Sequence, residues 1–322
     1  MSKIKITKKP KLNNPYFLAA WPGMGDVAFK AASYLVEKLG AKEFADMPAE
    51  DFLYINGSII EDGVLELPAP PVNKFYYWKN PKGNDLIIFV SDAQPDLMYY
   101  HEYCESILSV VKGYAIKEII CFAALPVPID HTEEPQVMSC ATDKTLNDEL
   151  TKYDVKNITI GQISGMNGLF LAFAKTHGYR GFCLLSEIPI YTIQLENPKA
   201  SAAILNALGK ILNIPLDVRE LKDQAHTIEE QINQLVDYLK GGASHAQSPI
   251  SEEEIEKIRK SLSEYSKLPQ SVKKKIEELF QQSKKDITKA NELKRELDHW
   301  NIYKEYEDKF LDLFKKREEK SN

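Results

Sequence analysis

The sequence predicts an α/β fold with a mostly parallel sheet, and three observations carry that prediction. Apolar runs with the composition of buried strands, such as Asp85-Leu86-Ile87-Ile88-Phe89-Val90 and Glu118-Ile119-Ile120-Cys121-Phe122-Ala123-Ala124, alternate with segments whose apolar residues recur at helical spacing. One run, Pro15 to Ala20, passes through Gly23 and Gly25 straight into a helical pattern at Val27, Ala31, Tyr34, Leu35 and Leu39. Strands and helices in such alternation imply a sheet covered on both faces.

A chain of 322 residues accommodates one large domain with an appendage, or two domains. Its 43% hydrophobic and 27% charged residues are ordinary for a globular protein. The net charge of -6 gives no global reason to expect nucleic acid, because polyanion binders present basic surfaces. No run approaches the roughly 20 apolar residues of a membrane span, and the basic start, Lys3 to Lys9, lacks the apolar core of a secretory signal. Cys104, Cys121, Cys140 and Cys183 are far apart in sequence, without metal-ligand spacing; Cys121 and Cys183 lie in apolar runs and read as reduced core residues. A cytoplasmic protein is expected.

In order along the chain, the strand at Pro15 to Ala20 and the helix from Val27 are followed by a short strand at Ala41 to Ala45. Met47 to Phe52 reads as one helical turn. Leu53 to Ile60, Val64 to Leu67 and Lys74 to Trp78 carry β-formers between Gly and Pro breaks, an antiparallel excursion. The strand ending at Val90 leads through Ser91 to Pro95 into a helix from Asp96 to about Gly113, and the next strand breaks at Pro126. Gln136 to Ala141 predicts a strand, Thr142 to Thr151 a short helix and Asn157 to Gly161 a strand. Gly165-Met166-Asn167-Gly168 then opens a helix, so that strand, glycine turn and helix occur a second time. Gly181 to Glu187 is a buried strand; Pro198 opens a helix to Leu212, and another runs from about Leu221 to Leu239.

Residues 1–240 therefore form an α/β domain, 241–250 a linker rich in Gly, Ala and Ser, and 251–322 a helical extension. Within the extension Ser251 and Glu254 form a capping box ahead of the stripe Ile255, Ile258, Leu262 and Tyr265. A longer helix carries Val272, Ile276, Leu279, Ser283, Ile287, Ala290, Leu293, Leu297 and Trp300, a spacing that suits a helical hairpin or a short coiled coil. With 18 Lys and Arg against 17 Asp and Glu in residues 241–322, the extension is nearly neutral and the acidity belongs to the domain before it.

The stretch Gly23-Met24-Gly25-Asp26-Val27-Ala28 matches the dinucleotide fingerprint in form. The fingerprint also needs a carboxylate closing a second strand, whereas Glu43 and Asp46 flank a short one, and Asp26 places negative charge where a pyrophosphate would lie. Two readings stay open. Gly23 and Gly25 permit a tight turn whose Asp26 caps the helix, or the turn binds a small ligand through Gly23, Met24, Gly25 and Asp26, with Gly165, Asn167 and Gly168 as the opposite wall. Asp92, Gln94, Glu187 and Tyr191 fall just after strands and can line the same crevice, although Asp92 suits a helix cap and Glu187 a loop equally well. No G-x-S-x-G elbow occurs, and none of His101, His131, His177 or His226 pairs with another ligand type at metal spacing. Neither a cofactor nor a metal is expected. Tyr99, Tyr100, His101 and Tyr103 cluster on one helix, where packing or a partner surface would use them.

Trp21-Pro22-Gly23-Met24-Gly25 with Tyr34-Leu35, Gly165-Met166-Asn167-Gly168-Leu169, Leu184 to Tyr191, and Pro198-Lys199-Ala200, in this order and spacing, resemble the proteasome assembly chaperone family. The resemblance is to its archaeal and bacterial branch, related to the eukaryotic assembly chaperone 2, and covers roughly residues 12–240. It implies a phosphorylase-like three-layer α/β sandwich that forms homo-oligomers and binds proteasome subunits rather than catalysing a reaction. Proteasome-linked members can dock through a C-terminal hydrophobic-Tyr-X tail; Glu318-Glu319-Lys320-Ser321-Asn322 departs from that pattern. The expectation is a non-catalytic scaffold that self-associates and holds a protein partner. The alternative is a nucleoside, nucleotide or phosphate binder, or a phosphorylase-like enzyme, using the two glycine loops.

Overall fold

The computed structural model describes residues 4–48, 51–53, 58–61, 63–67, 69–241, 270–285 and 289–299, with Tyr303, Tyr306, Glu307, Lys309, Phe310, Leu311 and Leu313 beyond them. The chain divides into two compact units, Met1–Gln234 and Leu235–Asn322. The expected one-turn helix at Met47 to Phe52, the strand from Leu53, most of the linker and the capping box at Ser251 lie wholly or partly outside the described residues.

The first unit has eleven described strands: β1 (Lys5–Ile6), β2 (Tyr16–Ala20), β3 (Lys42–Asp46), β4 (Ile59–Glu61), β5 (Val64–Glu66), β6 (Asn73–Trp78), β7 (Leu86–Ser91), β8 (Ile119–Val127), β9 (Val137–Ala141), β10 (Lys156–Asn157) and β11 (Gly181–Pro189). Nine form one sheet in the order β1-β3-β6-β7-β2-β8-β11-β9-β10, while β4 and β5 pair as a separate hairpin. The centre, β7-β2-β8-β11, is parallel. The β1, β3 and β6 flank and the β11–β9 pair are antiparallel, so the sheet is mixed.

All of β2 is buried. Its alternation sends Leu18 and Ala20 into one core and Phe17 and Ala19 into the other, the two-residue period of a strand covered on both faces. The first core is completed by α1 (Val27–Leu39), α3 (Lys144–Leu150), α5 (Pro198–Leu212) and the start of α6 (Arg219–Gly241). On the opposite face lie α2 (Tyr100–Val111) and α4 (Met166–Thr176), giving the three expected layers. Local chemistry sets the helix ends. Pro198 occupies the first turn of α5, where Asn197 accepts from Ala200 N–H at 2.9 Å. Gly40 closes α1 in the left-handed region.

Three expectations are corrected. The strand β8 runs through Pro126 to Val127 instead of breaking. Its even-numbered backbone groups face β2, as the Phe17 N–H to Glu118 carbonyl bond of 3.0 Å shows, and β2 stops pairing at Cys121. The missing N–H of Pro126 therefore costs no ladder bond. The strand expected at Asn157 to Gly161 shrinks to the two residues of β10, and the chain then leaves the sheet, with Ile160 92% exposed. Strand, glycine turn and helix are consequently not repeated as a unit: an irregular loop separates β10 from α4.

The third correction concerns the second unit. The expected long helix is two helices, α7 (Gln270–Lys285) and α8 (Ala290–His299). They share one core of Ile276, Leu279, Phe280, Ala290, Leu293 and Leu297, joined by Phe310. Both helices turn an apolar stripe of the same spacing into that core.

Three of the four cysteines, far apart in sequence, are brought together. Cys121 and Cys183 are register partners across β8 and β11, and Cys183 and Cys140 across β11 and β9, all as free thiols. A hydrogen bond from the Cys183 thiol holds the Cys140 thiol below the ordinary value, and burial pushes Cys121 up.

Candidate functional site

The two glycine turns meet at the carboxyl ends of β2, β8 and β11, and two side-chain carboxamides join them. Buried Asn167, near the start of α4, accepts from Trp21 N–H at 3.0 Å and donates to the Trp21 carbonyl at 3.0 Å. Its amide thus pairs with the backbone of β2's continuation as a further strand would. Gln94, in the loop after β7, donates to the Pro22 carbonyl at 2.6 Å and accepts from Met166 N–H at 3.0 Å, meeting one of the free amides at the start of α4.

The first turn is equally occupied. Gly25 N–H donates to the Ile193 carbonyl at 2.8 Å, Asn197 N–H donates to the Gly25 carbonyl at 2.8 Å, and Asp26 N–H donates to the Gly23 carbonyl at 2.9 Å. Gly25 has φ +61, and a Cβ there would sit 3.2 Å from the Asn197 Cβ, so the tight approach to α5 requires glycine. The Asp26 side chain does not cap α1, as one reading held. Its residue lies in the left-handed region and its carboxylate accepts from Gly23 N–H at 3.4 Å, closing the turn instead. Burial pushes the Asp26 carboxyl above its ordinary value, opposed by that N–H and by Lys30.

Between the turns is a cavity of about 90 Å³, lined by Gly23, Met24, Gln94 and Asn167 together with Ile163 and Ser164. Gly165 and Gly168 instead line a groove of about 920 Å³ on the other side of the 158–165 loop, beside α4. The remaining expected residues lie elsewhere. Asp92 accepts from Val72 N–H at 2.8 Å and fixes the entry to β6. Glu187 accepts from Gln136 N–H at 3.0 Å. The Tyr191 hydroxyl accepts from His131 N–H at 2.8 Å and meets His131 Nδ1 at 2.9 Å, while His131 Nε2 meets Asn233 Oδ1 at 2.9 Å.

Sequence reasoning missed the support behind Trp21. Its indole N–H donates to the Tyr103 hydroxyl at 2.9 Å, which donates to Asn73 Oδ1 at 2.8 Å, a buried relay linking β2 to α2 and β6. Burial pushes the Tyr103 hydroxyl up. Tyr103 belongs to the aromatic cluster noted on α2, of which Tyr99 and Tyr100 remain exposed. Lys199 was also missed: it donates to the carbonyls of His131, Thr132 and Glu133 at 3.0–3.3 Å and pairs with Glu229, tying a loop to α6. A lysine following an N1 proline gave no signal of such a role.

Chemically, the crevice is a junction. A cavity of about 90 Å³ is well below the roughly 300–1,000 Å³ of small-molecule sites. Among the described residues no group of three or more His, Cys, Asp or Glu is placed to hold a metal ion, and no helix is long and apolar enough to cross a membrane.

The same motifs carry the relationship to known proteins. The PAC2 family pattern matches residues 17–236. The chain belongs to the PAC2 family. An uncharacterized protein of Methanocaldococcus jannaschii is 29% identical over 259 residues, covering 79% of this PAC2 chain and 97% of the relative. Among solved structures, Pyrococcus furiosus PbaB, an archaeal proteasome activator, is 30% identical, covers 72% of this chain and 98% of its own, and superposes with a TM-score of 0.61. Pyrococcus furiosus PbaA, an archaeal homolog of proteasome-assembly chaperone, shares the fold at 23% identity and a TM-score of 0.57, covering 75% of this chain and 94% of its own. The resemblance read from the sequence and the three-layer fold are both borne out.

Proposed function

We propose that this PAC2 family protein is a non-catalytic, assembly-chaperone-like scaffold that self-associates through its α/β domain and binds a protein partner, with proteasome components as the partner class. The carrying observation is that 30% identity to an archaeal proteasome activator spans 98% of that chain. The geometry supports it, because the Trp21 amide and carbonyl, the Pro22 carbonyl, the Met166 amide and the amide and carbonyl of Gly25 are engaged with Asn167, Gln94, Ile193 and Asn197. Residues 1–240 would supply this scaffold, 241–250 the linker and 251–322 a helical extension offered to a partner. Four free cysteines suit a reducing, cytoplasmic setting.

The test is sedimentation of the purified protein together with retention of purified archaeal proteasome subunits on the immobilised chain. An oligomer that retains the subunits is expected. A monomer that retains none overturns the reading. For the small-molecule alternative, thermal shift with nucleosides, nucleotides and phosphate is the direct measurement, since a ligand at 100 times its dissociation constant stabilises by about 2.7 kcal/mol. No shift is expected, and a shift of that size would move the function to the glycine turns.

A further inference from the structure

Three cysteines stand side by side on three neighbouring strands. Cys140 on β9, Cys183 on β11 and Cys121 on β8 are successive register partners, and all three face the layer of α2 and α4. Cys183 and Cys121 are fully buried, as is Cys104 on α2. Cys140 is half-buried, because β10 ends at Asn157, opposite Ser139, and beyond that point the chain leaves the sheet. The uncovered side of β9 opens into the groove of about 920 Å³ beside α4, and Cys140 is among the residues that line it.

The backbone sets the separation of Cys140 and Cys183. Thr142 N–H donates to the Gly181 carbonyl at 2.9 Å and Glu187 N–H to the Gln136 carbonyl at 3.0 Å, so every second register pair between them, Cys140 with Cys183 included, is of the hydrogen-bonded kind. The Cα atoms of such a pair lie about 5.5 Å apart, within the roughly 4.4–6.8 Å that a disulfide spans. Both side chains leave the same face of the sheet, and the Cys183 thiol donates to Cys140. That bond favours the Cys140 thiolate, the form that attacks a disulfide. The groove volume of about 920 Å³ falls within the roughly 300–1,000 Å³ of small-molecule sites, and Lys175 is the charged side chain of its lining.

We infer that Cys140 and Cys183 form an oxidisable dithiol site whose co-reactant is a small anionic disulfide, R–S–S–R, entering through the groove. The Cys140 thiolate attacks one sulfur of the co-reactant. A Cys140–S–S–R bond forms, the original S–S bond breaks, and R–S⁻ leaves and takes up the proton that Cys140 has lost. The Cys183 sulfur then attacks Cys140 Sγ and displaces the second R–S⁻, which takes the Cys183 proton. Two cysteine thiols have lost two electrons and two protons, and one disulfide has become two R–SH. Cys121, on the far side of Cys183, is one strand too distant to displace R–S⁻ from Cys140. In the reducing setting proposed above the dithiol is the resting form. Neither thiol takes part in the proposed scaffold role, so the two stand or fall separately.

Thiol mapping tests the site. The full-length reduced protein is incubated with glutathione disulfide, alkylated with iodoacetamide in denaturant and mapped by mass spectrometry. Two of the four cysteines should resist alkylation, with a peptide linked through Cys140 and Cys183, and dithiothreitol should restore both thiols. Cys183→Ser should stop at the mixed disulfide, one glutathionyl group on Cys140, whereas Cys140→Ser should leave every remaining thiol alkylatable. Circular dichroism melts check that each variant is folded, and the wild-type link decides the matter where one is not. Lys175→Glu should slow oxidation by glutathione disulfide, an anion, about threefold without slowing oxidation by cystamine, a cation. Four alkylatable cysteines in the wild type, a link that omits Cys140, or a wild type that ends at the mixed disulfide overturns the dithiol site. An unchanged rate for Lys175→Glu with glutathione disulfide overturns the groove as the route of an anionic co-reactant.

Discussion

Asn167 spends its whole carboxamide on the backbone of one residue, Trp21, inside the protein. Truncation strands two buried backbone groups at about 1–3 kcal/mol each. Asn167→Ala should therefore lower stability by about 2–6 kcal/mol in urea titration, and Gln94→Ala, at an exposed position, by about 1 kcal/mol. Equal effects would mean that the two amides do not divide the work by burial. Asp26 gives a pH prediction. Because its folded pKa is raised above 3.8, the native state holds the proton more tightly than the unfolded chain, and stability falls as pH rises from 3.8 through the folded value. Asp26→Asn keeps an acceptor for Gly23 N–H and tolerates the left-handed backbone. It should be more stable than wild type at pH 7 and lose that advantage near pH 3, as urea midpoints at the two values would show. The motif residues were legible as a group in the sequence, since Gly23, Gly25, Asn167 and Gly168 stand out by type and spacing. That Asn167 and Gln94 join the turns to each other was not, because contacts between residues 146 and 72 positions apart leave no local pattern.

Elements buried on both faces were the readable ones. The runs containing β2, β7, β8 and β11 are continuously apolar because each is covered by helices above and below, and β1 and β10, two residues each at the sheet edges, have no such signature. Ile158 and Ile160 mimic the alternation of a strand, yet they line the groove, so the wall of a groove was mistaken for core. Gly168 sits where that loop presses on α4. Glycine to alanine within a helix ordinarily stabilises by about 1 kcal/mol. Here the new Cβ would lie 2.5 Å from the Ile163 Cβ and 2.7 Å from its carbonyl oxygen, too close for either to remain in place. Overpacking of about 1–3 kcal/mol should win. Gly168→Ala is thus expected to lower the melting temperature, and a rise would mean that the loop yields freely.

At the scale of the whole molecule, the two units divide the chemistry unevenly. The first contains the carboxamide junction, the groove and the hairpin. The second closes Phe280, Leu293, Leu297 and Phe310 into a core of its own, and its sequence is nearly neutral, with 18 basic against 17 acidic residues in 241–322. Neither a net charge nor a described apolar face in the second unit supplies a reason for it to drive assembly. A chain ending at Gly241 should therefore sediment with the same number of subunits as the full-length protein, its mass falling only by the residues removed. The proteasome-subunit retention assay on the same shortened chain then separates roles: unchanged assembly with weakened retention assigns the helical extension to the partner. A fall to monomer would assign self-association to the helices.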